Sequence, residues 1–173
     1  MTSNASQTAE ALTAVQQLIQ RGDVQAALSA IEALPRDVQQ SLMGAYMKGV
    51  CLRNLRDFAA AEQVLLGLVE QHPSYGRAFQ ELGHLYRDAN MPVEALNAYA
   101  TACHLNPGLK ASWAGQQHLI GKDSPERLSQ INQRLQWLES LPPNLAASWD
   151  LLHEGKLHKA EQLCRQFMQQ NPQ

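Results

Sequence analysis

The stretch from Gly76 to Leu109, GRAFQELGHLYRDANMPVEALNAYATACHLNPGL, carries two apolar stripes of helical period joined by a turn, and no other feature narrows the choice of fold as much. Phe79, Leu82, Gly83 and Tyr86 recur at i, i+3, i+4 and i+7, which places them on one face of a first helix. Ala95, Leu96, Tyr99, Ala102 and Cys103 do the same on a second helix. That helix is entered through Pro92, whose missing N–H is harmless in a first turn. Gly83 and Ala95 are small enough to sit where the paired helices approach most closely. Asn90 tolerates a left-handed backbone and so supplies the tight turn.

The pattern extends along the chain at a spacing of 34 residues. Stepping from Pro107 to Pro73 defines Leu42 to Tyr75, with Ala45, Gly49, Leu52, Ala61, Leu65 and Leu68 at the corresponding places and Asp57-Phe58 in the turn. Gly22-Asp23 marks an earlier turn flanked by Ala11, Leu18, Ala27 and Ile31, where Pro35 cuts the second helix short. Leu141 to Gln173 repeats the theme with Ala147, Leu151, Gly155, Leu157, Ala160, Cys164, Phe167 and Pro172. Between them, Trp113 opens a helix ending near Gly121, and Ser124-Pro125 starts a longer one through Ile131, Leu135 and Leu138. The expected organisation is a disordered stretch 1–7, then repeats over about 8–41 (degenerate), 42–75, 76–109, 110–140 (divergent) and 141–173. Turns are expected near Gly22, Arg56, Asn90, Lys122 and Gly155.

Phe79, Leu82, Gly83, Tyr86, Ala95, Tyr99, Ala102 and Pro107 fall at the signature positions of the tetratricopeptide repeat (TPR), so the chain resembles that family over nearly its whole length. The resemblance implies an all-α, right-handed α-solenoid of about five helical hairpins that acts as a protein-interaction or scaffolding module. The run LPPNLAASWDLLHEGKLHKAEQLCRQFMQQNP, Leu141 to Pro172, is further similar to the N-terminal repeat region of bacterial proteins that fuse such repeats to a sulfotransferase domain. That likeness implies an alternative function, the non-catalytic part of a sulfotransferase that recruits or orients a protein substrate. A third alternative is structural self-assembly. Solenoids usually end in a helix with a polar outer face, whereas Leu163, Phe167 and Met168 belong to the last helix of this sequence. The chain is therefore expected to be the N-terminal part of a longer protein and to self-associate through its C-terminal helix.

Composition supports a helical reading and narrows the partners. The chain is 45% hydrophobic but only 6% aromatic, and it has Ala and Leu where buried strands would need β-branched runs, so no sheet is expected. With 14 basic and 16 acidic residues the net charge of −2 gives no overall field to draw nucleic acid or an anionic membrane. The opening MTSNASQTAEA lacks the basic and apolar regions of a signal peptide, and the expected location is the cytoplasm. Cys51, Cys103 and Cys164 are odd in number and lie among apolar helix positions, which fits free buried thiols.

Catalytic patterns fail on spacing. His153-Glu154 with His158 resembles a zinc-protease helix, but the second histidine comes one position late and Gly155 interrupts the helix. Gly115 with Gly121-Lys122 has five intervening residues where a phosphate-binding loop needs four, and Asp123 stands where a hydroxyl belongs. No catalytic residue, metal or cofactor is expected, and the chain is not read as an enzyme.

Function should then sit on the concave face, which the first helix of each repeat lines. With Phe79, Leu82 and Tyr86 turned into the stack, that helix offers Arg77, Gln80, His84 and Arg87. The same register gives Tyr46, Val50 and Arg53 from the preceding repeat. It gives Ala114, His118 and Lys122 from the next, with Trp149 further along. The face is mixed apolar and basic in a slightly acidic chain. It suits an extended or helical peptide carrying acidic groups, which arginine binds in a bidentate fork. Tyr46 and Val50 stand where some family members place the lysine and asparagine that hold a peptide's terminal carboxylate, so recognition of that kind is not expected.

Overall fold

The computed structural model describes residues 2–120 and 124–171, and among these residues there are eleven α-helices and no strand. They fall into two compact units, residues 1–73 and 74–173.

The first unit holds α1 (Thr2–Arg21), α2 (Val24–Glu32), α3 (Arg36–Gln39), α4 (Leu42–Asn54) and α5 (Phe58–Gln71). Helix α1 begins inside the stretch 1–7 expected to be disordered. Val15, Ala27 and Ile31 fill the interior of the α1–α2 hairpin, and Met47, Cys51, Leu52, Ala61, Leu65 and Leu68 that of α4–α5. Pro35 stops α2 early, as its missing N–H demands, but the chain uses the following residues to form the short α3. Helix α3 packs so tightly on α4 that a Cβ on Gly44 would lie 2.1 Å from the Val38 carbonyl oxygen. The Ser41 hydroxyl caps α4 by accepting from the Gly44 N–H at 3.2 Å, and the Asp57 carboxylate caps α5 by accepting from the Ala60 N–H at 3.2 Å. Each satisfies an N–H that has no partner within its helix.

The second unit holds α6 (Gly76–Asp88), α7 (Pro92–Leu105), α8 (Lys110–Leu119), α9 (Pro125–Ser140), α10 (Pro143–His153) and α11 (Leu157–Gln170). Its centre is Tyr99 of α7, fully buried between two glycines. A Cβ on Gly83 would come within 2.5 Å of one edge of the Tyr99 ring, and a Cβ on Gly115 within 2.5 Å of the other. The small residues are thus what lets α6 and α8 both pack against α7. In the first unit Gly49 stands in the same relation to Leu65, at 2.6 Å. A further cluster, Ile120, Ile131 and Leu135 with Leu96 and Trp113, seats α9. The last hairpin is different, because α10 buries only Ser148 and α11 only Ala160.

One turn recurs throughout. Gly22, Arg56, Asn90 and Gly155 all have positive φ, of 83°, 64°, 61° and 73°, and the first three are 34 residues apart. At each, the next residue's N–H reaches back five positions to a carbonyl of the last helical turn: Asp23 to Leu18, Asp57 to Leu52, Met91 to Tyr86 and Lys156 to Leu151. This cap satisfies helix-end carbonyls while turning the chain into the next helix. The turn expected at Lys122 lies outside the described residues.

Candidate functional site

The residues named from sequence lie on first helices of the hairpins in each unit. In the first unit Tyr46, Val50 and Arg53 are half-buried on α4. The Val50 carbonyl accepts from the Asn54 side chain at 2.8 Å, so its contribution to any partner is its apolar side chain.

In the second unit the residues named on α6 divide by what they touch. Gln80 is buried, and its Oε1 accepts from the Ser112 hydroxyl of α8 at 3.2 Å. His84 is half-buried, with Nδ1 at 2.7 Å from the Tyr99 hydroxyl and its ring edge-on to Tyr99 at 5.3 Å. These two tie first helices to the core and present little of themselves outward. Arg87 is exposed and donates to the Asp88 carboxylate at 2.8 Å and 3.0 Å. On α8, Ala114 is half-buried and His118 exposed, while Lys122 lies outside the described residues.

Arg77 and Trp149 are brought together with groups the sequence pattern did not single out. The Arg77 guanidinium donates to Asp150 Oδ2 at 2.8 Å and, through Nε, to Glu154 Oε1. Asp150 Oδ1 also accepts from the Asn106 amide at 3.0 Å, and Glu154 Oε2 from Lys156 at 2.6 Å. Burial alone would raise the Glu154 carboxyl pKa, but the hydrogen bond from Lys156 and the charge and hydrogen bond of Arg77 hold it below the ordinary value. Beside this knot the Trp149 ring lies against the backbone of Gly108, where a Cβ would meet Trp149 Cδ1 at 2.7 Å. Trp149 also stacks on His153 at 5.4 Å and meets Trp137 edge-on at 5.7 Å. The contacts join residues 73 to 77 apart in sequence, and no local spacing announces them. The available signal was weak: two carboxylates at i and i+4, Asp150 and Glu154, just after an aromatic residue on a helix with a basic partner elsewhere.

An apolar cavity of about 470 Å³ opens between α9 and the last hairpin, lined by Trp137, Leu145, Trp149, Leu152, Leu157 and Cys164 among others. Leu152 and Leu157 on its rim are 51% and 63% exposed, and Met168 further along α11 is 70% exposed. Burial pushes the Cys51 thiol pKa up to about 11 and that of Cys103 up to about 12, which leaves little thiolate for nucleophilic chemistry at either. Among the described residues no group of three His, Cys, Asp or Glu side chains could hold a metal ion, and no helix is long and apolar enough to cross a membrane.

No protein-family model and no curated protein matches the sequence. Solved structures do. A thermophilic TPR protein of Thermus thermophilus superimposes with a TM-score of 0.65 at 19% identity, over 96% of this chain and 92% of that one. A MamA protein gives 0.60 at 12% identity over 94% of this chain and 90% of its own. MamA (41-end) from Desulfovibrio magneticus RS-1 gives 0.57 at 19% identity, over 78% and 75%. At these identities the likeness concerns the backbone alone. The chain has the all-α helical-hairpin fold of the solved TPR proteins.

Proposed function

We propose that the chain is a protein-binding repeat module whose first helices take a peptide or helix bearing acidic groups, with Arg77 and Arg87 as the charged contacts and Tyr46, Val50 and Trp149 as apolar ones. The observation that carries this reading is Arg77, which holds the carboxylates of Asp150 on α10 and Glu154 at its C-terminal end, in the geometry an acidic partner would need. Arg53 on α4 and His118 on α8 are further polar contacts of their own units, with His84 and Ala114 beside them on the first helices of the second unit; Gln80 and Lys122, named with them from sequence, are respectively buried and outside the described residues. A cytoplasmic location fits the free thiols.

Replacing Arg77 and Arg87 together with alanine should reduce recovery of the native partner from lysate severalfold while leaving the circular dichroism spectrum helical, because α6 and α7 are held by buried apolar side chains that neither substitution touches. Equal recovery by the variant would move the binding surface elsewhere. If a sulfotransferase domain follows Gln173 in the native reading frame, the same module would recruit its substrate, and sequencing beyond that codon decides this.

A second reading, self-association, is favoured by the exposed Leu152, Leu157 and Met168 on the last hairpin. Leu152 and Leu157 line one apolar cavity, and exposed apolar surface of this kind marks interaction sites.

A further inference from the structure

Helix α10 is fastened to the rest of the second unit by a few side chains instead of an apolar stripe. It buries only Ser148, and its extensive helix-to-helix packing is with α11. The remaining hold comes from the Trp149 ring on Gly108 and edge-on to Trp137 of α9, Asp150 on Asn106 and Arg77, and Glu154 on Arg77. The fit is incomplete, because Trp149 Nε1 is buried without a hydrogen-bond partner. Its link to α9 is the two-residue non-helical segment Leu141-Pro142. Charged contacts that are part exposed weaken with salt and can be exchanged for others of the same chemistry. A regular hairpin held by interlocked apolar side chains has no such freedom.

We infer that the edge formed by Arg77, Asn106 and Gly108 is a receptor site for an acidic amphipathic helix, and that α10 fills it in cis as a displaceable stand-in. The inference rests on the reading of Arg77 given above and adds the identity of the ligand and its regulation. The seated helix states the chemistry the edge accepts: an aromatic residue against the Gly108 backbone, a carboxylate at the next position shared by Asn106 and the Arg77 Nη2, and a second carboxylate four residues later on the Arg77 Nε. The occupant in trans is a partner helix with that aromatic–acid–x–x–x–acid order. Because α10 is tethered, its effective concentration at the edge is high, and a partner's apparent affinity falls by the fraction of molecules in which the edge is open.

The test uses the full chain and a fluorescent peptide of residues 142–156, PPNLAASWDLLHEGK. Asp150→Asn with Glu154→Gln removes the charges of the built-in helix at constant shape. Hydrogen exchange across α10 and α11 should then quicken at least tenfold while α6 and α7 are unchanged. The peptide should bind this variant at least tenfold more tightly than the wild type, and adding Arg77→Ala should abolish the gain. A peptide with the same two acids neutralised should not bind. Unchanged exchange in the double variant, equal peptide affinity for variant and wild type, or binding that survives loss of Arg77 would each overturn the inference. A dimer formed by exchange of α10 between copies, read by light scattering, would overturn the assignment to a partner helix by making a second copy the occupant. None of these readouts needs the native partner. Failure of the pull-down alone would strike the proposed function, and failure of the peptide assay alone would strike this inference.

Discussion

Single residues set the closest contacts of both units, and the glycines divide sharply by what surrounds them. Gly83 faces the Tyr99 ring with no room for a methyl group, so Gly83→Leu should force α6 from α7 at a cost of about 1–3 kcal/mol. At this chain length each kcal/mol lowers Tm by about 2–4 °C, which a thermal melt resolves. An unchanged melt would show that the hairpin accommodates the side chain. Gly67, in the interior of α5, has nothing within 4 Å of its would-be Cβ. There Gly67→Ala should raise stability by about 0.5–1 kcal/mol, by removing backbone freedom from the unfolded chain without a clash. A lower Tm for this variant would contradict the open space. Opposite signs for two helical glycines are a sharper test of the packing than either change alone.

Among the elements, the last hairpin stands apart from the others in what holds it. The α6–α7 pair is seated by Ala78, Leu82, Leu85, Ala95, Tyr99 and Ala102, all buried, whereas α10 depends on Trp149 and two carboxylates. Its dependence on pH follows from Glu154, whose folded-state pKa is held below the ordinary value. A depressed carboxyl contributes stability that is fully present above the unfolded value, about 4.3, and is lost as pH falls through the lower folded value. Acidification below about pH 4 should therefore loosen α10 before the α6–α7 core melts. Exchange-rate maps, or the emission of Trp149 and Trp137, would record it. Simultaneous loss of all helices would mean that the hairpin is held by something other than the Arg77 pairs.

At the scale of the whole molecule, the last hairpin exposes Leu152 and Leu157 on its apolar side. If copies bury Leu152 and Leu157 against one another, Leu152→Ser with Leu157→Ser should shift light-scattering mass toward the monomer at high concentration and leave secondary structure intact. A wild-type chain that is monomeric throughout would dismiss self-association, while the groove reading would stand on the pull-down.

The helical hairpins and the turns at Gly22, Arg56, Asn90 and Gly155 were legible in the sequence, because helical period and left-handed turn residues are local properties of the chain. Gly83 could be placed at a close contact for the same reason. The short α3 was missed, since four residues carry too little periodicity to register. Which inner-face side chains remain outward could not be read either. Gln80 and His84 are drawn into the core by Ser112 and Tyr99, and Arg77 by Asp150 and Glu154 some 75 positions away. The first two pairings depend on how α7 and α8 pack against α6 and the Arg77 pairings on where the last hairpin comes to lie, and both were decided by tertiary contacts between residues whose sequence spacing carries no information about their distance.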